Sequence, residues 1–170
     1  MRYIFLLVLL LNSCSVKVDI NTNKVNRLTT NLIDIGISKN EAKRLSKDIF
    51  YKSKLLVKEF DLVSPPLWHN FLVNIEVRKK GLCYNWSDSL FVYLKNKDYN
   101  KEAKFHLIGA NIGDYWREHN ALMITTDNLE FKNSIIIDPW RNSGELFFAP
   151  IKDDKDYEWE ERFYRERFVE

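Results

Sequence analysis

Cys83, His119 and Asp138 are the residues of this chain whose types and order fit covalent chemistry. A cysteine attacks as the thiolate, and its reactivity follows the fraction ionised. The apolar pattern predicts that Cys83, two residues after Gly81, opens a helix. There, unpaired amides and the positive end of the helix dipole face the sulfur. The same amides can donate to the oxyanion that forms on an attacked carbonyl. His119 begins a predicted strand; an imidazole in reach of the thiol takes its proton and returns it to a leaving group. Asp138 ends the next predicted strand, where a carboxylate fixes the imidazole tautomer and stabilises its charged form. Antiparallel neighbours lie about 5 Å apart, so His119 and Asp138 are expected to face each other across the ladder.

Each residue also has a plainer reading. A lone cysteine in an apolar helix packs as a small core residue, a strand histidine can be a satisfied core group, and Asp138-Pro139 is a common strand-to-turn ending. Zinc ligation by Cys83, His106, His119 and Asp138 is chemically conceivable, but zinc sites carry close pairs such as CxxC, HxH or HExxH, and none occurs. Neither a metal nor a cofactor is therefore expected. His69, in an apolar helix, and His106, on a strand, read as structural.

The elements that must position these residues follow from periodicity. Ser38 and Glu41 have the spacing of a capping box, and Ala42, Leu45, Ile49, Leu56 and Phe60 form an apolar stripe, predicting a helix to about Asp61. Ser64-Pro65-Pro66 ends it and a short helix over 67–75 follows. A third helix spans 82–94, buried on its Leu82, Trp86, Leu90, Tyr93 and Leu94 side. Alternating segments at 104–110, 119–125, 134–137 and 145–149 read as strands. Helices first and an antiparallel meander after them indicate an α+β domain, N-terminal helices packed on an antiparallel sheet. The charged tail 152–170 carries Tyr157, Trp159, Phe163, Tyr164 and Phe168 and reads as a short docked amphipathic helix.

The pieces Gly81-Leu82-Cys83-Tyr84-Asn85-Trp86, His119-Asn120-Ala121-Leu122 and Ile137-Asp138-Pro139-Trp140 together resemble the transglutaminase-like branch of the papain-like cysteine hydrolases. The resemblance covers about half of the chain, roughly 67–148. It implies a transglutaminase-like core and acyl transfer through a thioester, as a peptidase, an amidase or a cross-linking enzyme. It implies Cys83 as nucleophile, His119 as general base and acid, and Asp138 as orienter. One departure is the absence of a Gln a few residues before Cys83, which leaves the second oxyanion donor open, with Asn70 or Trp68 as candidates. Trp86, Trp116 and Trp140 lie near the three residues in sequence, where aromatics wall a substrate groove, shield an ion pair or simply fill core. Trp86, Trp140 and Asn70 are taken as substrate-binding candidates. Arg141 reads either as a partner for a substrate carboxylate or as a surface salt bridge.

The first residues carry a different message. Arg2 precedes the apolar run 3–11, which as a helix rises only about 14 Å and is too short to span a bilayer of roughly 20 residues. Such a run reads as the apolar core of a secretory signal. Leu11-Asn12-Ser13-Cys14 resembles the lipobox of bacterial lipoproteins, which implies removal of 1–13 and acylation of Cys14. Ser15 in place of Asp implies the outer membrane, facing the periplasm. An ordinary signal peptide and a buried apolar strand are the alternatives. Residues 14–34, rich in Asn, Thr and Lys, read as a tether, leaving 35–170 as one domain. With Cys14 acylated, Cys83 is the single remaining thiol in a compartment that favours disulfides, so it must be buried or used.

Composition narrows the partners. The 170 residues are 45% hydrophobic and 29% charged with a net charge of +2, and no basic run exceeds three residues, so nucleic acid is not expected. Five Gly and four Pro exclude collagenous or linker material, and no internal repeat occurs. The expected partners are a peptide or protein substrate in the cell envelope and the membrane itself, through the lipid. The alternative to an enzyme is a lipoprotein of the same fold that binds peptide and has an inert Cys83.

Overall fold

The computed structural model describes residues 16–99 and 102–166. The expected signal segment 1–13 and the expected lipidation site Cys14 lie outside the described residues. Within them the helices come first: α1 (Thr22–Asp34), α2 (Lys39–Glu59), α3 (Pro66–Asn74) and α4 (Cys83–Lys95). Strands β1 (Lys104–Ala110), β2 (His119–Thr125), β3 (Ile135–Asp138), β4 (Phe147–Pro150) and β5 (Trp159–Glu161) follow, then a single turn, α5 (Phe163–Glu166). The class is α+β, as expected, with a five-stranded antiparallel sheet in the order β4-β3-β2-β1-β5.

Alternation along the strands gives the sheet two apolar faces. Leu107, Leu122, Ile124, Ile135 and Ile137 face the helices, in one core with Trp86, Leu90, Phe91 and Leu94 of α4. Ile108, Ala110, Ala121, Met123 and Ile136 face the other way and are covered by Ile151 and Trp159. The C-terminal segment is therefore part of the fold. It is not the docked amphipathic helix expected over 152–170: β5 adds to the free edge of β1, with Trp159 turned inward beside Ala110, and of the tail's described residues only the single turn α5 is α-helical. An edge strand with unpaired amides is a template for exactly such an addition.

The expected tether over 14–34 is also corrected. Asn21 caps α1 by accepting from the amides of Asn23 and Lys24, and Val25, Leu28 and Leu32 pack into the main core. Three apolar residues at helical spacing suffice, since burying each stabilises by roughly 1.5–3 kcal/mol, while the polar remainder of the segment faces water. Even Val16 is tied down, donating its N–H to the Leu62 carbonyl (3.2 Å). The capping box expected at Ser38 does not form: the Ser38 side chain makes no cap bond, its amide donates to Glu102, and Glu41 pairs with Arg44.

Candidate active site

The turn that delivers Cys83 is fixed by side chains bonded to its backbone. Gly81 has φ +125°, and a Cβ there would lie 2.1 Å from Nε2 of His69, so no L side chain fits. His69, fully buried, donates from Nε2 to the Lys80 carbonyl (2.9 Å) and accepts the Val63 N–H at Nδ1 (3.3 Å). That pair of bonds requires the neutral ring, and burial holds its pKa below the ordinary value. Trp86 donates its indole N–H to the Gly81 carbonyl (3.1 Å), and Asn85 Oδ1 accepts the amides of Gly81 (3.0 Å) and Leu82 (3.1 Å). Cys83 follows as the first residue of α4, its thiol free of any disulfide.

His119 and Asp138 meet, though not directly opposite each other. In the β2–β3 register Leu122 pairs with Ile137, which sets Asp138 across from Ala121 and makes His119 its diagonal neighbour on the same face. Diagonal positions are about 7–8 Å apart, within reach of long side chains. Here Nε2 of His119 and Oδ2 of Asp138 are 2.7 Å apart, with the two side chains 3% and 1% exposed. The other ring nitrogen, Nδ1, is buried with no hydrogen-bond partner among the described residues. Burial by itself pulls the imidazole pKa down, and is the largest single influence. The Asp138 carboxylate and the neighbouring Cys83 thiol together outweigh it and push the pKa up to about 9.

A layer behind the pair holds it in place. Arg141 donates from Nε to Asp138 Oδ2 (3.1 Å) and from its own amide to Oδ1 (3.2 Å). Its guanidinium pairs with Asp154 (2.7 Å) and lies over the Phe147 ring (3.8 Å). Asp154 also accepts the Trp159 indole N–H (2.8 Å). Arg141 thus makes the salt bridges expected of it, one to exposed Asp156 (3.3 Å) and the others to the buried carboxylates of Asp138 and Asp154, and is not among the residues that line the cleft. Trp140, Tyr157 and Trp159 stand 4.7, 4.6 and 5.4 Å from the imidazole, excluding water from the charged pair.

The sulfur of Cys83 rests at the start of β2, 3.9 Å from the Glu118 carbonyl and 3.7 Å from Nδ2 of Asn120. His119 and Asn120 belong to opposite faces of β2, yet at the strand's first residues both reach the thiol. Asn120 Oδ1 accepts from Arg162 and from Arg165 (3.0 Å), which aims the N–H₂ side at the sulfur. Sequence reasoning missed Asn120 and the two arginines as site residues. A signal existed, since asparagine is disfavoured in strands and here interrupts an apolar one. Arg162 and Arg165 gave none, because their role depends on how the tail folds back.

The thiol opens into a cleft of about 450 Å³ lined by Leu67, Asn70, Phe71, Tyr115, Trp116 and Glu118, among others. Of the expected substrate contacts, Asn70 lines this cleft and accepts the Trp140 indole N–H (3.1 Å). Trp86 does not: it is 1% exposed, edge-on to Phe60 in the core, because the helix stripe that carries it faces the sheet. Trp140 packs on His119 and does not line the cleft, whereas Trp116 does. Trp68 stacks on Phe71. His69 is structural, as expected, and His106 packs against Phe163. Among the described residues no three His, Cys, Asp or Glu side chains converge as metal ligands. No protein-family model matches the chain, and neither the curated proteins nor the solved structures contain a recognisable relative.

Proposed function

We propose that this protein is a cysteine hydrolase or acyl transferase of transglutaminase-like architecture, acting on a peptide or amide through a Cys83 thioester. The observation that carries the reading is the buried His119–Asp138 pair, whose ring is influenced by the Cys83 thiol and whose Nδ1 has no hydrogen-bond partner among the described residues. A buried imidazole paired with a carboxylate can hold a thiol's proton, whereas a cysteine that only fills core needs no such neighbours. In the resting pair Nδ1 of His119 already holds the proton given up by the Cys83 thiol, and the thiolate sulfur bonds to the carbonyl carbon. The oxyanion takes hydrogen bonds from the Cys83 amide and from Nδ2 of Asn120. The C–N bond then breaks, with the Nδ1 proton going to the departing amine. Water, or an acceptor amine, attacks the thioester carbon and gives a proton to Nδ1; the C–S bond breaks, and the sulfur leaves as the thiolate beside the recharged ring. Asp138 keeps Nε2 protonated and the ring oriented throughout.

The lipobox-like segment supports an envelope lipoprotein anchored through Cys14, in the outer membrane and facing the periplasm. Val16 is already bonded into the fold, so that anchor would hold the domain against the bilayer surface, without a spacer. The substrate would then be an envelope protein or peptide.

The test is the alkylation of Cys83 by iodoacetamide against pH. It uses the full chain, read at the Cys83 peptide by mass spectrometry so that Cys14 does not contribute. An unperturbed thiol titrates near pH 8.5. Rapid modification at pH 6 that collapses in His119→Ala is expected. A Cys83 that reacts only after denaturation sinks the proposal and leaves an inert binding lipoprotein of the same fold.

A further inference from the structure

The cleft beside Cys83 has two exposed apolar walls, with Asn70, Asn74, Asn120 and Glu118 as its polar lining. Tyr115 and Trp116 are 85% and 84% exposed, and Leu67 and Phe71 on α3 are 72% and 47% exposed. All four line the same cavity as the thiol. Isolated exposed apolar residues are ordinary, but a contiguous patch around a concave site marks what the site receives.

The loop that presents the two aromatics is built to hold them out. Asp114 Oδ1 accepts the amides of Trp116 (3.1 Å) and Arg117 (3.2 Å), and Oδ2 pairs with the Arg117 side chain (2.7 Å). Asn111 donates to the Arg117 carbonyl (3.1 Å), and Glu118 accepts the Gly113 N–H (2.9 Å). Tyr115 and Trp116 meet edge to face at 5.2 Å. Across the cleft, Trp68 stacks on Phe71 from behind, also at 5.2 Å. These are ordered surfaces, so a ligand that covers them loses little freedom in doing so.

Charge points the same way. No Lys or Arg is among the residues that line the cleft. Arg162 and Arg165 stand behind Asn120 and are paired with Glu118 and Asp88. The acid at the rim is Glu118. Its partial burial alone would raise its pKa, but the Gly113 amide and Arg162 outweigh that and keep it ionised. A carboxylate on the ligand would enter without a partner, close to an existing negative charge.

We infer that this cleft is the subsite for an uncharged, apolar side chain of the acyl donor. An aromatic or branched aliphatic residue of a peptide lies between Leu67–Phe71 and Tyr115–Trp116 while its carbonyl meets Cys83. The inference rests on Cys83 being the nucleophile proposed above, and it adds which residue the peptide carries there.

The experiment compares three affinity labels on the full chain: the chloromethyl ketones of acetyl-phenylalanine, acetyl-glutamate and acetyl-lysine. In each, the thiolate sulfur bonds to the methylene carbon and chloride leaves, so no further reactant is needed. Rates at the Cys83 peptide are divided by the iodoacetamide rate of the same protein. The phenylalanine label is expected to react about tenfold faster than either charged one, as a filled apolar pocket discriminates. In Trp116→Ala and in Leu67→Ala, both surface positions, that preference should shrink towards unity. Equal rates for the three labels, or a preference for a charged one, with rapid iodoacetamide modification, overturn the inference and leave the thiol chemistry standing. Failure of iodoacetamide itself on the folded protein overturns both.

Discussion

The proposed nucleophile and its proposed base are held by two opposite kinds of structure. The turn before Cys83 is held by neutral hydrogen bonds to backbone: His69 to Lys80, Trp86 to Gly81, Asn85 to Gly81 and Leu82. Around His119 the constraints are ions, running His119–Asp138–Arg141–Asp154 under a cover of Trp140, Tyr157 and Trp159. A neutral turn adds no charge of its own at the sulfur, where the helix terminus, the imidazole and the Asn120 amide act. An ionic scaffold in a dry setting fixes both the position and the charge of the ring, since charges interact more strongly where water is absent. Disturbing the first should change geometry and stability, and disturbing the second should change protonation.

The largest expected effect is on the ionic side. Asp138→Asn keeps the shape but removes the charge opposite Nε2, and it allows the ring to turn to the wrong tautomer. Turnover of a chromogenic acyl anilide should fall by about 10³–10⁴, as triads lose when the orienting carboxylate becomes an amide. Cys83 alkylation at pH 6 should slow with it. Rapid alkylation that survives Asp138→Asn would show that the carboxylate does not control the ring.

Asn120 lies between the two regimes, a neutral amide aimed by two cations. Asn120→Ala should lower anilide turnover by about 10²–10³, the range for loss of one oxyanion donor. Alkylation forms no oxyanion and should slow far less. If both rates fell equally, Asn120 would be positioning the sulfur and not stabilising charge.

How much of this was legible in the sequence varies with the kind of signal. Cys83, His119 and Asp138 could be placed on a helix start and two strands because α2, α4 and β1–β3 have strong periodicity. Their boundaries fall within two residues of expectation. α1 was not legible, since Val25, Leu28 and Leu32 are scattered among Asn, Thr and Lys and only the packing partner reveals the stripe. Trp86 was misread for a related reason: proximity to Cys83 in sequence says nothing about which side of the helix a residue occupies. Arg141, Asp154, Arg162 and Arg165 act through tertiary pairing across a tail whose aromatic content suggested a helix. That pairing has no local periodicity to announce it.

The charged state of His119 also makes the ionic side sensitive to pH in the stability of the fold. Its pKa is up to about 9 in the folded protein, against about 6.5 for an unfolded chain. The folded state therefore holds its proton more tightly. The stabilisation is fully present below pH 6.5, then declines as pH rises and is gone above about 9, a change on the order of 3 kcal/mol. Urea unfolding from pH 6 to 9.5 should show that decline, and His119→Gln should abolish most of it. Because the Cys83 thiol helps to raise the ring, Cys83→Ala should narrow the window. An equal decline in wild type and His119→Gln would mean that other groups set it.

The smallest expected effect isolates the neutral side. Asn85 Oδ1 is the acceptor for two amides of the turn before Cys83, those of Gly81 and Leu82. Asn85→Ala leaves both without that acceptor at a half-buried site, which should destabilise the fold by about 1–2 kcal/mol. Asn85→Asp restores an acceptor and places a negative charge at the first turn of α4, favourable to the helix dipole, so stability should return. The same charge stands close to the sulfur and opposes its ionisation, so Cys83 alkylation near neutral pH should be slower in Asn85→Asp than in the wild type. A scaffold that can carry a charge without loss of stability, yet loses reactivity when it does, is one whose neutrality serves the nucleophile. Should Asn85→Asp alkylate as fast as the wild type, the neutral hydrogen bonds around Cys83 matter for the turn's geometry alone, and the contrast with the ionic side becomes one of packing.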